Sequence, residues 1–224
     1  MATYITRRSV IFSAISLVAL AATARADGEH PFYGGGGSDF IGDPALLPPP
    51  ESPTDFPIQS FENQIPQRFR KQQVTYGTQE KPGTVIVDPQ NRFLYFILGH
   101  DQAIRYGAGV GREGFAWSGQ AIVGLKRRWP RWLPPQSMVE RDVHAAKWAN
   151  GMPGGPENPL GARALYLYAN GEDTLFRIHG TNEPQSIGKA MSSGCVRMLN
   201  EDVADLFERV NKGTRVVVLG SGDL

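Results

Sequence analysis

Apolar residues in the second half of the chain fall into short runs that predict β-strands. Residues 84–88 and 92–98 are rich in β-branched and aromatic side chains and flank an Asp-Pro-Gln-Asn sequence. Residues 164–169 alternate leucine and tyrosine, and Asn170-Gly171 joins them to the apolar run 174–178. Both joining sequences are typical of tight turns between antiparallel strands. The pattern therefore predicts two β-hairpins.

The remaining pattern predicts two further strands and few helices. Residues 102–110 and 214–219 read as strands, and the latter has the apolar character of a buried position. Asn200 is placed to cap a helix over residues 201–210, with acidic residues in its first turn. Residues 137–148 form a second helix candidate. These elements predict a mainly β fold, a compact sandwich or partly closed barrel with one or two short helices.

The first 26 residues have the pattern of an export signal. Arg7 and Arg8 precede an apolar run over residues 10–22, which is too short to span a bilayer and suits a signal peptide. Ala24-Arg25-Ala26 is a small-x-small cleavage site, which predicts a mature chain beginning at Asp27. The paired arginines fit either a twin-arginine signal or an ordinary secretory signal. An exported chain of this kind is expected in the periplasm.

The composition changes after the signal. Residues 27–66 contain eight prolines and six glycines, which do not build a packed core. We interpret residues 27–80 as a tether, whose end the apolar residues Phe56 and Ile65 can dock onto the domain. Residues 81–224 have the length and composition of one folded domain. No second apolar stretch in the mature chain is long enough for a transmembrane segment.

The charge balance gives no reason to expect nucleic acid as a partner. The whole chain carries 23 basic and 22 acidic residues. Loss of residues 1–26 removes three arginines and no acids, which leaves a net charge of −2. Nucleic-acid binding proteins usually carry a basic surface.

Cys195 is the one cysteine of the chain, so no internal disulfide can form. It lies in Ser192-Ser193-Gly194-Cys195-Val196-Arg197, sixteen residues after His179. A histidine near a cysteine can activate the thiol as a nucleophile. The alternative is a buried structural cysteine, because cysteines that form no disulfide are among the most buried residue types. The remaining histidines have no second ligand at metal spacing, so no metal is predicted.

The surrounding residues resemble the catalytic signature of the L,D-transpeptidase (YkuD-type) family. That signature is His-Gly, a gap of about fourteen to seventeen residues, then Ser-x-Gly-Cys, an apolar residue and Arg or Asn. Here it reads His179-Gly180 followed by Ser192-Ser193-Gly194-Cys195-Val196-Arg197. The likeness continues along residues 178–200 and more loosely over 81–219. The family's fold is compact and β-rich, in agreement with the strand pattern.

The resemblance assigns roles to residues of the signature. Cys195 is the expected nucleophile and His179 its acid and base, with the carbonyl of Gly180 orienting the imidazole. Backbone N–H groups near Ser193 and Gly194 are expected to form the oxyanion hole. Ser192 is expected to contact the substrate. The residue before Gly194 is often histidine in the family and is serine here, so His179 is the single candidate base.

Two further features have open interpretations. Arg197 can bind a substrate carboxylate as a fork, or form a structural salt bridge to Glu201 or Asp202. Trp129 and Trp132 lie in a proline-rich, basic stretch that is either a substrate-binding lid or a structural loop. In the lid interpretation, Trp132 contacts the substrate.

The resemblance implies a periplasmic enzyme that acts on the tetrapeptide stems of peptidoglycan and forms cross-links through a cysteine thioester. No cofactor is needed, and carbapenem-type β-lactams are expected to acylate the same thiol. The alternatives are attachment of an outer-membrane protein by the same acyl-enzyme, hydrolysis of the thioester by water, and a wall-binding domain without activity. The sequence is compatible with a stem peptide, an outer-membrane protein or water as the acyl acceptor.

Overall fold

The computed structural model describes residues 51–111, 117–192 and 194–220. Within them, nine strands form one mixed sheet and two short strands form a second. The strands are β1 Gln72–Thr75, β2 Val85–Asp88, β3 Phe93–Gly99, β4 Gln102–Gly107, β5 Val110–Gly111, β6 Gly119–Arg128, β7 Arg163–Ala169, β8 Glu172–His179, β9 Ala190–Ser192, β10 Val196–Arg197 and β11 Arg215–Val218. The α-helices are α1 Gln136–Arg141, α2 Val143–Ala146 and α3 Asn200–Arg209.

The nine-stranded sheet has the order β1-β4-β3-β2-β11-β6-β7-β8-β10, and β5 pairs with β9. Both expected hairpins are present, as the antiparallel pairs β2–β3 and β7–β8. Asn170 and Gly171 both have positive φ, at 52° and 85°, as a two-residue hairpin turn requires. Strand β11 inserts parallel to β2 and antiparallel to β6, which gives the apolar run near the C-terminus its central position.

The sheet is open. Its last strand, β10, contacts the segment between β4 and β5 through one bridge, in which the backbones of Gly109 and Arg197 exchange hydrogen bonds of 2.9 and 2.8 Å. The mainly β fold class with a few short helices is therefore confirmed, whereas the strands of the described residues do not close into a barrel.

The two faces of the central strands have different environments. One face, which includes Leu165, Ile178 and Val196, belongs to the main hydrophobic core beneath α3. Lys126 also points to this side, where its Nζ donates to the carbonyl oxygens of Phe207 and Val210 at the end of α3. A cation at this position complements the negative end of the helix. Side chains alternate along a strand, so the other face is left for the site.

The expected cap of α3 is wrong in detail. The helix begins at Asn200 itself, and Leu199 occupies the cap position without a side-chain hydrogen bond. The Asn200 amide instead bonds to two other backbone segments, as described below. The predicted helix over 137–148 is two short helices separated at Asp142, whose carboxylate accepts from the N–H groups of His144 and Ala145.

Residues 51–80, expected to be a tether, pack against the domain. Strand β1 pairs with β4, and Phe69 is 3% exposed within an apolar cluster that includes Ile65, Ile187 and Leu199. The folded unit of the structure thus begins well before Lys81. The expected signal peptide and residues 27–50 lie outside the described residues. Among those that are described, no helix has both the length and the apolar character needed to cross a bilayer.

Candidate active site

His179 and Cys195 come together through the pairing of two short parallel segments. His179 ends β8, and β10 pairs with it so that Val196 lies beside Ile178 and Arg197 beside His179. This register places Cys195 next to Arg177, two residues before His179. Because side chains alternate along a strand, Arg177, His179, Cys195 and Arg197 share the face opposite the core.

The His179 ring is held by the adjoining carbonyl group. Its Nδ1 lies 2.6 Å from the carbonyl oxygen of Gly180, so Nδ1 carries the proton and Nε2 is left as an acceptor. The residue is 5% exposed. Burial, together with the positive charges of Arg197 and Arg177, lowers the pKa of His179 to about 3. The imidazole is therefore neutral at physiological pH.

Cys195 is partly exposed and retains its proton in the resting site. Burial raises the pKa of the Cys195 thiol, against the opposing effects of the Arg177 charge, a hydrogen bond from the Arg177 backbone N–H, and the Arg197 charge. The thiol and the imidazole are thus both neutral, rather than a thiolate–imidazolium pair. Such a site requires proton transfer to His179 when the sulfur attacks.

Gly194 adopts a backbone conformation that turns the chain immediately before Cys195. Its φ of +121° lies in a region that favours glycine, and a Cβ here would approach the Phe176 ring at 3.5 Å. The expected oxyanion hole involves Gly194 and Ser193, of which Ser193 lies outside the described residues. Ser192 ends β9, and its backbone is placed by the pairing of β9 with β5.

Arg197 forms an ion pair with a residue that the sequence did not indicate. Its Nη1 lies 2.8 Å from Glu183 Oε2, whereas the salt-bridge interpretation named Glu201 or Asp202 as the partner. Glu201 accepts hydrogen bonds from Ser60 Oγ at 2.9 Å and from the Phe61 N–H, and so fixes the N-terminal segment. The Arg197 charge is therefore compensated in the loop between His179 and Cys195, and a second anion has to compete with Glu183.

Sequence reasoning missed the pair formed by Arg177 and Asp173. Arg177 binds the two carboxylate oxygens of Asp173 at 2.6 and 2.7 Å, and its guanidinium stacks 4.3 Å from the centre of the Tyr166 ring. Tyr166 and Arg177 are register partners on neighbouring strands. Strand alternation from His179 was the available signal, since a residue two positions earlier points to the same side.

Asn200 supports the backbone that orients His179. Its Oδ1 accepts from the Ala162 N–H at 2.8 Å, and its Nδ2 donates to the Thr181 carbonyl oxygen at 3.0 Å. A Cβ on Gly180 or on Gly161 would collide with this side chain. The closely packed amide therefore locks the strand end that carries His179 against the loop before β7.

The two tryptophans of the proline-rich stretch have different environments. Trp129 is 2% exposed, donates from Nε1 to Asp55 at 3.0 Å and packs edge-on against Phe56. The lid interpretation is therefore wrong for Trp129, which anchors the N-terminal segment. Trp132 is partly exposed and exchanges backbone hydrogen bonds with Met152. Its contact with substrate stays a prediction.

A third arginine on this side of the sheet differs from the other two. Register places Arg127 beside Ala164, which lies beside His179. Within the described ranges Arg127 forms no salt bridge, whereas Arg177 and Arg197 each pair with an acid. No group of three or more His, Cys, Asp or Glu side chains there is arranged to hold a metal ion.

The comparison with known families decides the classification. The model of the YkuD L,D-transpeptidase catalytic domain matches residues 82–218. The chain belongs to this family. The match includes His179, Cys195 and every element from β2 to β11.

Two curated relatives named as probable L,D-transpeptidases match part of their length to this chain. Probable L,D-transpeptidase YbiS of Escherichia coli (strain K12) is 38% identical over 144 residues, which are 60% of this chain and 43% of that protein. Probable L,D-transpeptidase ErfK/SrfK of Salmonella typhimurium is 26% identical over 208 residues, 82% of this chain and 65% of that protein. The chain thus spans less than two thirds of both curated relatives.

A solved structure from Brucella melitensis is 51% identical and covers 71% of this chain and 99% of that chain, with a TM-score of 0.48. It is described as a probable carnitine operon oxidoreductase, CaiA, which is a different activity from that of the family. That description concerns the Brucella protein. The family of the present chain rests on the match over residues 82–218.

Proposed function

We propose that this protein is an exported cysteine L,D-transpeptidase that acts on peptidoglycan tetrapeptide stems and forms cross-links in the cell wall. The observation that carries the proposal is the arrangement of Cys195 and His179 on one face of the sheet. Gly180 engages Nδ1 of His179 at 2.6 Å, which leaves Nε2 to accept a proton. Membership of the L,D-transpeptidase family supplies the reaction class.

The protonation states define the first step. The Cys195 sulfur attacks the carbonyl carbon of the third stem residue, and its proton passes to Nε2 of His179. The imidazolium that forms is unfavourable beside Arg177 and Arg197, and the negative charge developing on the substrate oxygen offsets it. Attack and proton transfer are therefore coupled.

The later steps return the site to its starting state. The imidazolium gives its proton to the amine of the terminal D-alanine as the carbon–nitrogen bond breaks, which leaves a thioester on Cys195. An acceptor amine then attacks the thioester and loses a proton to His179, and the thiol is restored as the amide forms. Backbone N–H groups around Gly194 are suited to bind the oxyanion in both halves of the reaction. No cofactor takes part, because the thioester conserves the energy of the broken amide bond.

Among the described arginines aligned with His179 across the sheet, one has no acidic partner to compete with a stem carboxylate. Arg197 was either a fork for a substrate carboxylate or a structural ion pair, and in the structure it pairs with Glu183. Arg127 has no acidic partner among the described residues and is aligned with Ala164 and His179 across the sheet. We assign substrate carboxylate binding to Arg127, with Trp132 as a candidate contact for the wall fragment.

The sequence pattern of residues 1–26, which predicts an export signal, supports a periplasmic location, where peptidoglycan is accessible. The acceptor is proposed to be the side-chain amine of another stem. An outer-membrane protein amine, or water, can resolve the same thioester. The Cys195–His179 arrangement argues against a wall-binding domain without activity.

The test is incubation of the purified mature chain with disaccharide tetrapeptides, followed by mass spectrometry. Cross-linked dimers with loss of D-alanine are expected from the wild type and not from Cys195→Ala. Tripeptide as the sole product would replace the transpeptidase by a hydrolase. Unchanged substrate from a folded wild type would contradict the proposal. Addition of a lysine-terminated peptide tests the protein acceptor in the same experiment.

A further inference from the structure

We propose that Asp173 and Arg177 form a positioning pair that shapes the chain beneath Cys195 and sets the electrostatic potential at its sulfur. The inference deepens the proposed function and rests on Cys195 as its nucleophile. Neither residue lies in the His-Gly or Ser-x-Gly-Cys sequence. Both belong to β8, the strand that carries His179.

Asp173 organises an irregular turn of the strand. Its carboxylate binds the Arg177 guanidinium at 2.6 and 2.7 Å and also accepts from the Leu175 N–H at 2.8 Å. Leu175 has a φ of 62°, a left-handed conformation that is unfavourable for a residue with a Cβ. The register between β7 and β8 shifts at the same place. The carboxylate thus stabilises a bulge that an ordinary strand would not adopt.

The bulge lies directly under the nucleophile. The Leu175 carbonyl oxygen is 4.0 Å from Cys195 Sγ, and the Arg177 backbone N–H donates a hydrogen bond to the same thiol. Both of these backbone groups belong to residues that the Asp173 carboxylate holds. Stacking of the guanidinium on Tyr166 fixes the pair from the next strand. Loss of the pair would displace both contacts.

The two charges act on the thiol in opposite directions. Among the described residues, the groups that face Cys195 include Asp173, Arg177 and His179 on β8, Arg197 on β10 and Tyr166 on β7. The positive charge of Arg177 lowers the pKa of Cys195, and the negative charge of Asp173 raises it. Arg197 acts in the same direction as Arg177 and is paired with Glu183. Removal of one member of the Asp173–Arg177 pair should therefore change thiol reactivity in a direction that depends on which member is lost.

The test measures alkylation of Cys195 by iodoacetamide between pH 5 and pH 10 in the mature chain. Arg177→Gln should move the rate profile to higher pH and slow alkylation at pH 7.5 by about threefold or more. Asp173→Asn keeps an oxygen acceptor for the Leu175 N–H and removes the charge, so it should move the profile to lower pH. Opposite shifts are a result that general loosening of the fold does not produce.

Two controls keep the outcome decisive. Arg215→Gln removes a comparable bidentate pair with Glu80, at 2.9 and 3.0 Å and three strands from β8, and should leave the profile unchanged. Arg177→Lys retains the positive charge and replaces Arg177→Gln if the glutamine variant does not fold. Its rate profile should match that of the wild type. The inference would be overturned if the rate profiles of Arg177→Gln and Asp173→Asn shifted in the same direction, or if neither profile shifted.

The experiment is independent of the wall reaction because alkylation requires no wall substrate. Opposite shifts without cross-linking of disaccharide tetrapeptides would retain the pair and reject the transpeptidase. Cross-linking without opposite shifts would retain the transpeptidase and reject the pair.

Discussion

Nδ1 of His179 and the carbonyl oxygen of Gly180 lie 2.6 Å apart, in a contact between adjacent residues of one chain. A backbone carbonyl orients the ring without adding a negative charge. No carboxylate of the described residues stabilises the protonated form of the imidazole, and burial with two nearby arginines keeps it neutral. The contact explains the direction of the ring, whereas burial and the two arginines account for its low basicity, which the Gly180 hydrogen bond opposes.

The first prediction concerns pH. An ordinary histidine has a pKa of 6.5, whereas that of His179 is lowered to about 3. Protonation should therefore not inactivate the base as pH falls from 7.5 to 5. The acylation rate with a carbapenem, followed by intact-protein mass spectrometry, is expected to show no step near pH 6.5. A decrease of tenfold per pH unit below pH 6.5 would show a charged histidine and contradict the site described above.

The second prediction separates the nucleophile from its base. His179→Ala should reduce carbapenem acylation by about 10²–10⁴, the usual effect of losing a positioned acid and base. Cys195→Ala should show no adduct and an unchanged fold, since one sulfur atom is removed from a partly exposed position. Both are measured by mass spectrometry, with circular dichroism as the control for folding. An adduct on Cys195→Ala would exclude this residue as the nucleophile.

Much of this arrangement could be predicted from sequence, because local patterns determine it. The Asn170-Gly171 turn and the alternation around it define the β7–β8 hairpin, and the His-Gly and Ser-x-Gly-Cys sequences mark the two site segments. Strand β6 was missed because Lys126 and its neighbouring arginines look like a solvent-exposed loop. Lys126 instead reaches the carbonyl groups at the end of α3, a contact about 80 residues distant in sequence that no local pattern contains.

Long-range contacts also account for the other differences. Asn200 has the local features of a helix cap, yet its amide joins Ala162 to Thr181. Proline-rich residues before Lys81 resemble a tether, yet Phe69 is buried. In both cases tertiary packing overrides a local preference. The pairing of Arg177 with Asp173 does not follow from spacing, because residues four apart in a regular strand are separated by about 13 Å. The bulge at Leu175 brings them together, and their position beneath the thiol follows from the register of β10.

A third prediction tests the support of the site by Asn200. Asn200→Ala leaves the Ala162 N–H and the Thr181 carbonyl without their partner, which should cost about 1–3 kcal/mol of stability per unsatisfied group. Acylation should also slow, because Gly180 is packed against this amide. Asn200→Asp retains the acceptor for Ala162 and should be the milder variant. Thermal melting and acylation rates measure both effects, and two variants indistinguishable from the wild type would remove the supporting role.

The fourth prediction concerns the N-terminal segment. A chain beginning at Lys81 loses β1 and the Phe69 cluster, whereas one beginning at Glu51 keeps both. Burial of one large apolar side chain stabilises a fold by about 1.5–3 kcal/mol. The shorter chain should therefore melt well below the longer one. Phe69→Ala in the longer chain isolates the cluster, and equal melting temperatures for all three would show that the segment is dispensable.

The last prediction follows from Asp202, a buried carboxyl in the first turn of α3. Burial, together with the neighbouring Glu201 charge, raises the pKa of Asp202 to about 7 from an ordinary 3.8. The folded chain therefore holds a proton that the unfolded chain has released. The stabilisation from this proton is complete below pH 3.8 and is lost as pH rises to about 7. Asp202→Asn is neutral throughout, so its melting temperature relative to the wild type should rise from pH 4 to pH 8.

Asp205→Asn is the contrasting control, since hydrogen bonds from Arg209 and Tyr106 outweigh burial and lower the pKa of that carboxyl. Its effect should have the opposite sign, with the wild type favoured at pH 8. A difference for Asp202→Asn that does not change with pH would show that this carboxyl is ionised over the whole range.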